Sequence, residues 1–231
     1  MHRVPEEHPR PTFLSDFILG SQDGLVNVLG ILLGLVAASA DSRVILIAAL
    51  AALAAESISM GAVAYTSTLA RRHLYLAETE RELNEMRDLP DLEREEVRTI
   101  LRKWGFEGAE LEEMLARIEA KPKAMLDLMM AFELNLPRVA ANAPFQSFQV
   151  VLLATVVGSI IPLLPFFVLT HTLVTAAYVS IVLSAAMLFV VGWYEARTTL
   201  GSTWSSAFRM ILIGLGAGFA GFLVGHFVGQ G

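Results

Sequence analysis

Five long apolar runs constrain what this 231-residue chain can fold into more than any other feature. They lie at about Phe17 to Ser39, Val44 to Leu69, Gln146 to Leu169, Leu173 to Tyr194 and Phe208 to Val228. A helix rises about 1.5 Å per residue and a bilayer's hydrocarbon core is about 30 Å thick, so each run is long enough to cross it. With 55% hydrophobic residues and a mean hydropathy of +0.57, the chain is too apolar for an ordinary soluble domain. The fold expected is all-α: a polytopic membrane protein with five transmembrane helices and a cytoplasmic three- to four-helix insert between helices 2 and 3. An odd number of spans puts the termini on opposite sides.

The insert announces itself by charge. Of the 23 acids, 16 fall between Glu78 and Glu133, alongside nine basic residues, a balance that disfavours nucleic acid as a partner. Four regions follow: an arm over 1–15, irregular because of Pro5, Pro9 and Pro11; helices 1 and 2 over 16–77; a small cytoplasmic helical domain over 78–144; and helices 3 to 5 over 145–231. Asp41-Ser42 makes the turn between the first two spans. No Pro or Gly breaks the chain between Ala62 and Met86, so the second helix should run on into water as YLAETERELNEMRD until Pro90 ends it. Two amphipathic helices closed by Gly105 and by Lys121-Pro122 come next, then a helical stretch from Ala124 to Leu136 before Pro137. Pro162 and Pro165 should kink the third span.

Orientation follows from the basic residues. Arg3 and Arg10 in the arm, twelve Lys/Arg from Arg71 to Arg138, and Arg197 with Arg209 lie on one side, against Arg43 alone on the other. The N terminus and the insert therefore face the cytoplasm. No cleavable signal peptide is visible, and the short arm suits a prokaryotic plasma membrane. Glycines four apart (Gly20/Gly24, Gly30/Gly34, Gly221/Gly225/Gly229) make small-residue faces, read as close packing within the chain in preference to a dimer seam.

Against this apolar background the intramembrane carboxylates stand out. A charged carboxylate at mid-bilayer depth costs roughly 2.5–3.5 kcal/mol on insertion scales, so it usually faces a partner, a cavity or an ion. Asp16, Asp23 and Asn27 share one face of the first helix. Glu56 and Met60 sit one turn apart on the second. Together Asp23, Asn27, Glu56 and Met60 could line a cation path, the thioether biasing it toward transition metals. The competing reading is polar contact between helices. In the insert, Glu78, Glu82 and Glu85 form a stripe, Glu93 and Glu96 are three apart on the next helix, and Met129, Met130 and Glu133 lie on the last. These either converge on metal or form solvated faces paired with Arg81, Arg94 and Arg98.

Other chemistries lack their residues. Without cysteine there are no thiolate sites or disulfides. No HExxH, GxxxxGK[ST], GxSxG or Glu-x-x-His pair occurs, and His73, His171 and His226 stand alone. An enzyme is not indicated.

The runs DGLVNVLGILLGL, SISMGAVAY and LMMAFELNL, with PDxExxE at Pro90–Glu96 and MMxxE at Met129–Glu133, resemble the vacuolar iron transporter family over essentially the whole chain. The resemblance implies a homodimer that exports Fe²⁺ and related divalent metals (Mn²⁺, Co²⁺, Zn²⁺) from the cytosol in exchange for protons, without an organic cofactor. It implies that Asp23 and Met60 are the membrane metal residues, and that Glu82, Glu85, Glu93, Glu96, Met129, Met130 and Glu133 are the cytoplasmic ones. One position departs. The family's plant-type Glu two turns before Met60 is Ala52 here, and Glu56 stands one turn before Met60 on the same face. The alternative function is a membrane-anchored metal sensor or storage module without translocation.

Overall fold

A computed structural model describes residues 11–169, 172–198 and 203–229. Every regular element among them is an α-helix: α1 Pro11–Ala37, α2 Ser42–Asp88, α3 Pro90–Lys103, α4 Gly108–Glu119, α5 Pro122–Phe132, α6 Ala143–Val168, α7 Leu173–Thr198 and α8 Thr203–Gly229. Five of them, α1, α2, α6, α7 and α8, are long and apolar enough to cross a membrane. The all-α, five-span expectation holds. Residues 1–10 with Pro5 and Pro9, and His171, lie outside the described residues.

The chain divides into two compact units, one from the residues up to Tyr65 and from Pro144 onward, the other Thr66–Ala143. α2 contributes residues to both.

In the first unit, Val28, Leu29 and Leu32 of α1 form a buried core with Ile45 and Ala49 of α2, Leu163 and Phe166 of α6, and Ala176 and Ala177 of α7. A second cluster joins Leu25 to Leu188, Val191 and Met210. Outward faces are apolar as well. Val174, Tyr178 and Val182 repeat at i, i+4, i+8 along α7 and stay exposed, as do Leu212 and Phe227 on α8. Large apolar side chains on an outer helical face suit lipid tails.

The glycine faces pack within the chain. A Cβ on Gly34 would come within 2.8 Å of the Gly221 carbonyl oxygen, and one on Gly225 would collide with the Gly34 backbone, so α1 and α8 touch backbone to backbone. Gly20 and Gly24 turn toward Val151 and Thr155 of α6.

Two boundaries differ from expectation, the start of α1 and the end of α5. α1 begins at Pro11, inside the expected arm, because proline at a first helical position gives up an N–H that has no helical partner anyway. α6 continues through Pro162 and Pro165 to Val168, and the Ser180 hydroxyl of α7 donates to the Pro162 carbonyl at 2.7 Å. α5 ends at Phe132, short of Leu136. Asn135 takes φ +53°, and the Leu134 and Leu136 amides fold back onto the carbonyls of Met129 and Met130. The chain is thereby turned before Pro137 restricts Leu136.

The second unit is held by Val97 and Leu101 of α3, Leu111 and Leu115 of α4, and Met125 and Met129 of α5. α2 stops at Asp88, Leu89 alone breaks the helical path, and Pro90 opens α3 as its first residue. After α3, Gly105 adopts φ +90°, a conformation that disfavours any residue with a Cβ, and closes the turn into α4.

Candidate functional site

Candidate side chains come together in two groups, one in each unit. In the first, Asn27 lies four residues after Asp23 on α1, which stacks the two side chains on one face. The Asn27 amide nitrogen donates to Asp23 Oδ1 at 3.2 Å and also to Glu56 Oε1 of α2. One amide group thus serves a carboxylate on each of two helices. Met60 is half-buried one turn beyond Glu56. Ser57, beside Glu56, is buried with its hydroxyl lacking a hydrogen-bond partner. Asp16 goes elsewhere: it accepts a hydrogen bond from Ser147 of α6.

In the second unit the acids crowd together. Glu82 and Glu85 are brought onto one face of α2 by their i, i+3 spacing, and the reversal at Leu89–Pro90 returns α3 so that Glu93 joins them. One carboxylate oxygen from each of Glu82, Glu85 and Glu93 lies within 4.8 Å of the others. Among the described residues this is the one group of three or more Asp, Glu, His or Cys side chains so placed. Glu82 is 2% exposed and Glu93 1% exposed, and an Oε2 of each is buried without a hydrogen-bond partner. Desolvating a carboxylate without a partner costs several kcal/mol, on the order of what is measured for buried charges, and a cation offsets this directly.

The electrostatics place Glu96 and Glu133 in the same field. Burial first, then the charges of Glu96, Glu82, Glu85 and Glu133, push the Glu93 carboxyl up to about 7. Burial and then Glu96, Glu82 and Glu85 push Glu133 up to about 7, with Arg81 opposing. Glu82 and Glu96 are raised from the ordinary carboxylate range by burial first and then by Glu85, again against Arg81. Like charges held close disfavour joint ionisation. Glu133, the residue capping the end of α5, takes part from the third helix.

The two methionines separate. Met129 is fully buried in the apolar core of this unit, whereas the sulfur of Met130 lies 3.8 Å from the Thr79 hydroxyl oxygen. Thr79 itself donates to the Tyr75 carbonyl at 2.6 Å. Its pairing with Met130 joins positions 51 residues apart, and no local pattern points to it.

The arginines separate too. Arg94 pairs with Glu112 and Glu119, and Arg98 with Glu95 and Glu112, tying α3 to α4 at its far face. Among the described residues Arg81 alone approaches the cluster, 3.0 Å from Glu78, 3.7 Å from Glu82 and 3.6 Å from Glu85. Of the arginines offered as partners in the solvated-face alternative, Arg94 and Arg98 pair across α3 and α4 instead. His226 stacks on Phe222 at 6.0 Å between ring centroids.

The sequence model of the VIT family matches residues 14–226. Vacuolar iron transporter 1 of Arabidopsis thaliana is 32% identical over 227 residues, covering 98% of this chain and 90% of the relative. Vacuolar iron transporter 2 of Oryza sativa subsp. japonica is 34% identical over 222 residues, covering 94% and 90%. Protein CCC1 of Saccharomyces cerevisiae is 25% identical over 223 residues, covering 93% and 69%. With five helices of bilayer-crossing length and a family match across nearly all of its residues, the chain belongs to the VIT family.

Proposed function

We propose that this protein is a proton-coupled exporter of divalent metal, moving Fe²⁺, and also Mn²⁺, Co²⁺ or Zn²⁺, out of the cytosol. It acts as a homodimer in a prokaryotic plasma membrane, with the N terminus and the helical insert on the cytoplasmic side, and it is a transporter and not an enzyme. The observation that carries this reading is the convergence of Glu82, Glu85 and Glu93 within 4.8 Å, two of them buried with unpartnered oxygens. The relatives named as vacuolar iron transporters support the cargo.

The chemistry is competition between protons and metal. Carboxylates held up to about 7, as Glu93 and Glu133 are, carry protons near neutrality and release them as metal takes the oxygens. Glu82, Glu85, Glu93, Glu96 and Glu133, with Glu78 at the edge and Met129 and Met130 on α5, form the capture site of the insert. Oxygen donors hold a hard dication, and a thioether tilts preference toward softer transition metals. In the spans, Asp23, Asn27, Glu56 and Met60 form the transport path. The Asn27 amide orients both carboxylates, and Glu56 supplies on that face the acid that Ala52 lacks. Protonation of these carboxylates from the far side releases the metal.

The test is Fe²⁺ flux into proteoliposomes against an imposed pH gradient. Asp23→Ala and Glu56→Ala should each abolish flux while the protein still elutes as a folded dimer. Fe²⁺ flux that survives both substitutions sinks the proposed path. Metal binding by the wild type without flux would favour the storage or sensor reading.

A further inference from the structure

Arg81 is placed where a bound dication would have to compete with it. Its Nη2 lies 3.0 Å from Glu78 Oε2 and 3.7 Å from Glu82 Oε1, and its Nε lies 3.6 Å from Glu85 Oε2. Glu82 and Glu85 are two of the three acids whose oxygens converge. Among the described residues no other basic side chain pairs with Glu78, Glu82, Glu85, Glu93, Glu96 or Glu133. All of Arg81's partners lie on its own helix, α2. Arg94 and Arg98 instead bridge α3 to α4. Arg81 therefore makes no ion pair to another helix, and same-helix pairs of this kind are worth only a few tenths of a kcal/mol. Its side chain is 53% exposed, so its head group can swing into water without stranding a buried charge.

We propose that Arg81 is the resident counter-cation of the carboxylate cluster, displaced when a divalent cation takes the oxygens of Glu82 and Glu85, and that it thereby keeps capture weak and reversible. This rests on reading the cluster as a metal site. A guanidinium and a dication need the same lone pairs, and they repel each other if both stay. The guanidinium remains charged at every relevant pH, so its competition differs in kind from that of protons on the acids. A capture site in a transporter must let go. A neighbour that returns to the carboxylates as metal departs lowers the barrier to release.

The test is Mn²⁺ titration of the purified full-length protein at pH 8, with free Mn²⁺ read by electron paramagnetic resonance and dissociation followed by chelator chase. Arg81→Gln should bind about tenfold tighter and release more slowly, as expected from removing a like charge a few ångströms away. Arg81→Lys should stay near wild type. Arg98→Gln, which removes the same charge from the α3–α4 bridge, should change affinity by less than about twofold. Affinity that is unchanged or weaker in Arg81→Gln, while Glu82→Gln loses binding, leaves the metal site standing and overturns the role of Arg81. Equal tightening in Arg98→Gln reduces the effect to net charge and also overturns it. Mn²⁺ binding that does not depend on Glu82 removes the metal reading itself, and this proposal with it.

Discussion

The two polar sites of this protein answer the same problem, carboxylates taken out of water, in opposite ways. In the spans two acids share one neutral donor, the Asn27 amide, which reaches Asp23 and Glu56 together. In the insert at least five acids crowd one another with, among the described residues, a single half-exposed guanidinium beside them, and buried oxygens of Glu82 and Glu93 are left without partners. The first arrangement gives both acids a donor from the protein itself. The second is in electrostatic debt until a cation arrives. Removing a polar group should therefore cost stability in one region and relieve strain in the other.

That contrast breaks most visibly under paired substitution of the insert. Glu82→Gln with Glu93→Gln should lower metal affinity at least about a hundredfold, since each removes a charged oxygen ligand, while the metal-free protein melts no lower than wild type at pH 8. Calorimetric titration and a thermal melt on the same sample decide it. A melting point that drops would mean the acids stabilise the insert without metal, and the contrast would be lost.

A pH series sharpens the same point. Glu93 and Glu133 have folded-state values of about 7, above the ordinary 4.5 of an exposed glutamate. At these two sites the folded state then binds more protons than the unfolded one between these values, so their contribution to metal-free stability is greatest below about 4.5 and is lost as pH rises through 7. Metal affinity runs the other way, increasing by up to about tenfold per pH unit for each proton released until it levels off above 7. Affinity that stays flat between pH 6 and 8 would show that these carboxyls are not the ligands.

In the spans, Asn27→Leu leaves Asp23 and Glu56 without their shared donor. We expect a loss of about 1–3 kcal/mol of stability, read as a lower melting temperature in detergent, together with loss of flux. Asn27→Asp should be as damaging, because it sets a third carboxylate between two others. The smallest effect belongs to Thr79→Val, which removes the hydroxyl beside Met130. A few-fold change in Co²⁺ affinity, with Mn²⁺ nearly unaffected, is expected if the thioether contributes to the site.

Much of this architecture was legible along the chain. Five apolar runs yielded five helices of crossing length, and the lack of a breaker between Ala62 and Met86 yielded one helix, α2, of 47 residues. Helical periodicity alone set Glu82 beside Glu85 and Asn27 beside Asp23. Where the reading failed, a non-local contact or a turn outweighed propensity. α5 was expected to reach Leu136, but Asn135 leaves the helical region and Met129 and Met130 carbonyls are capped from beyond the helix end.

By itself, then, the sequence determined what hydropathy and periodicity govern: the helices, the apolar faces, and which polar groups share a face. Those are local properties, decided within a few turns of one helix. Partner choice was decided only in three dimensions. Arg81 and not Arg94 or Arg98 meets the acids, Glu93 returns from α3 to stand with Glu82, Met129 sinks into the core while Met130 meets Thr79, and Asn27 reaches Glu56 on a second helix. Each of these depends on how helices far apart in the chain pack their apolar faces, and packing is a property of the assembled core that no single segment carries.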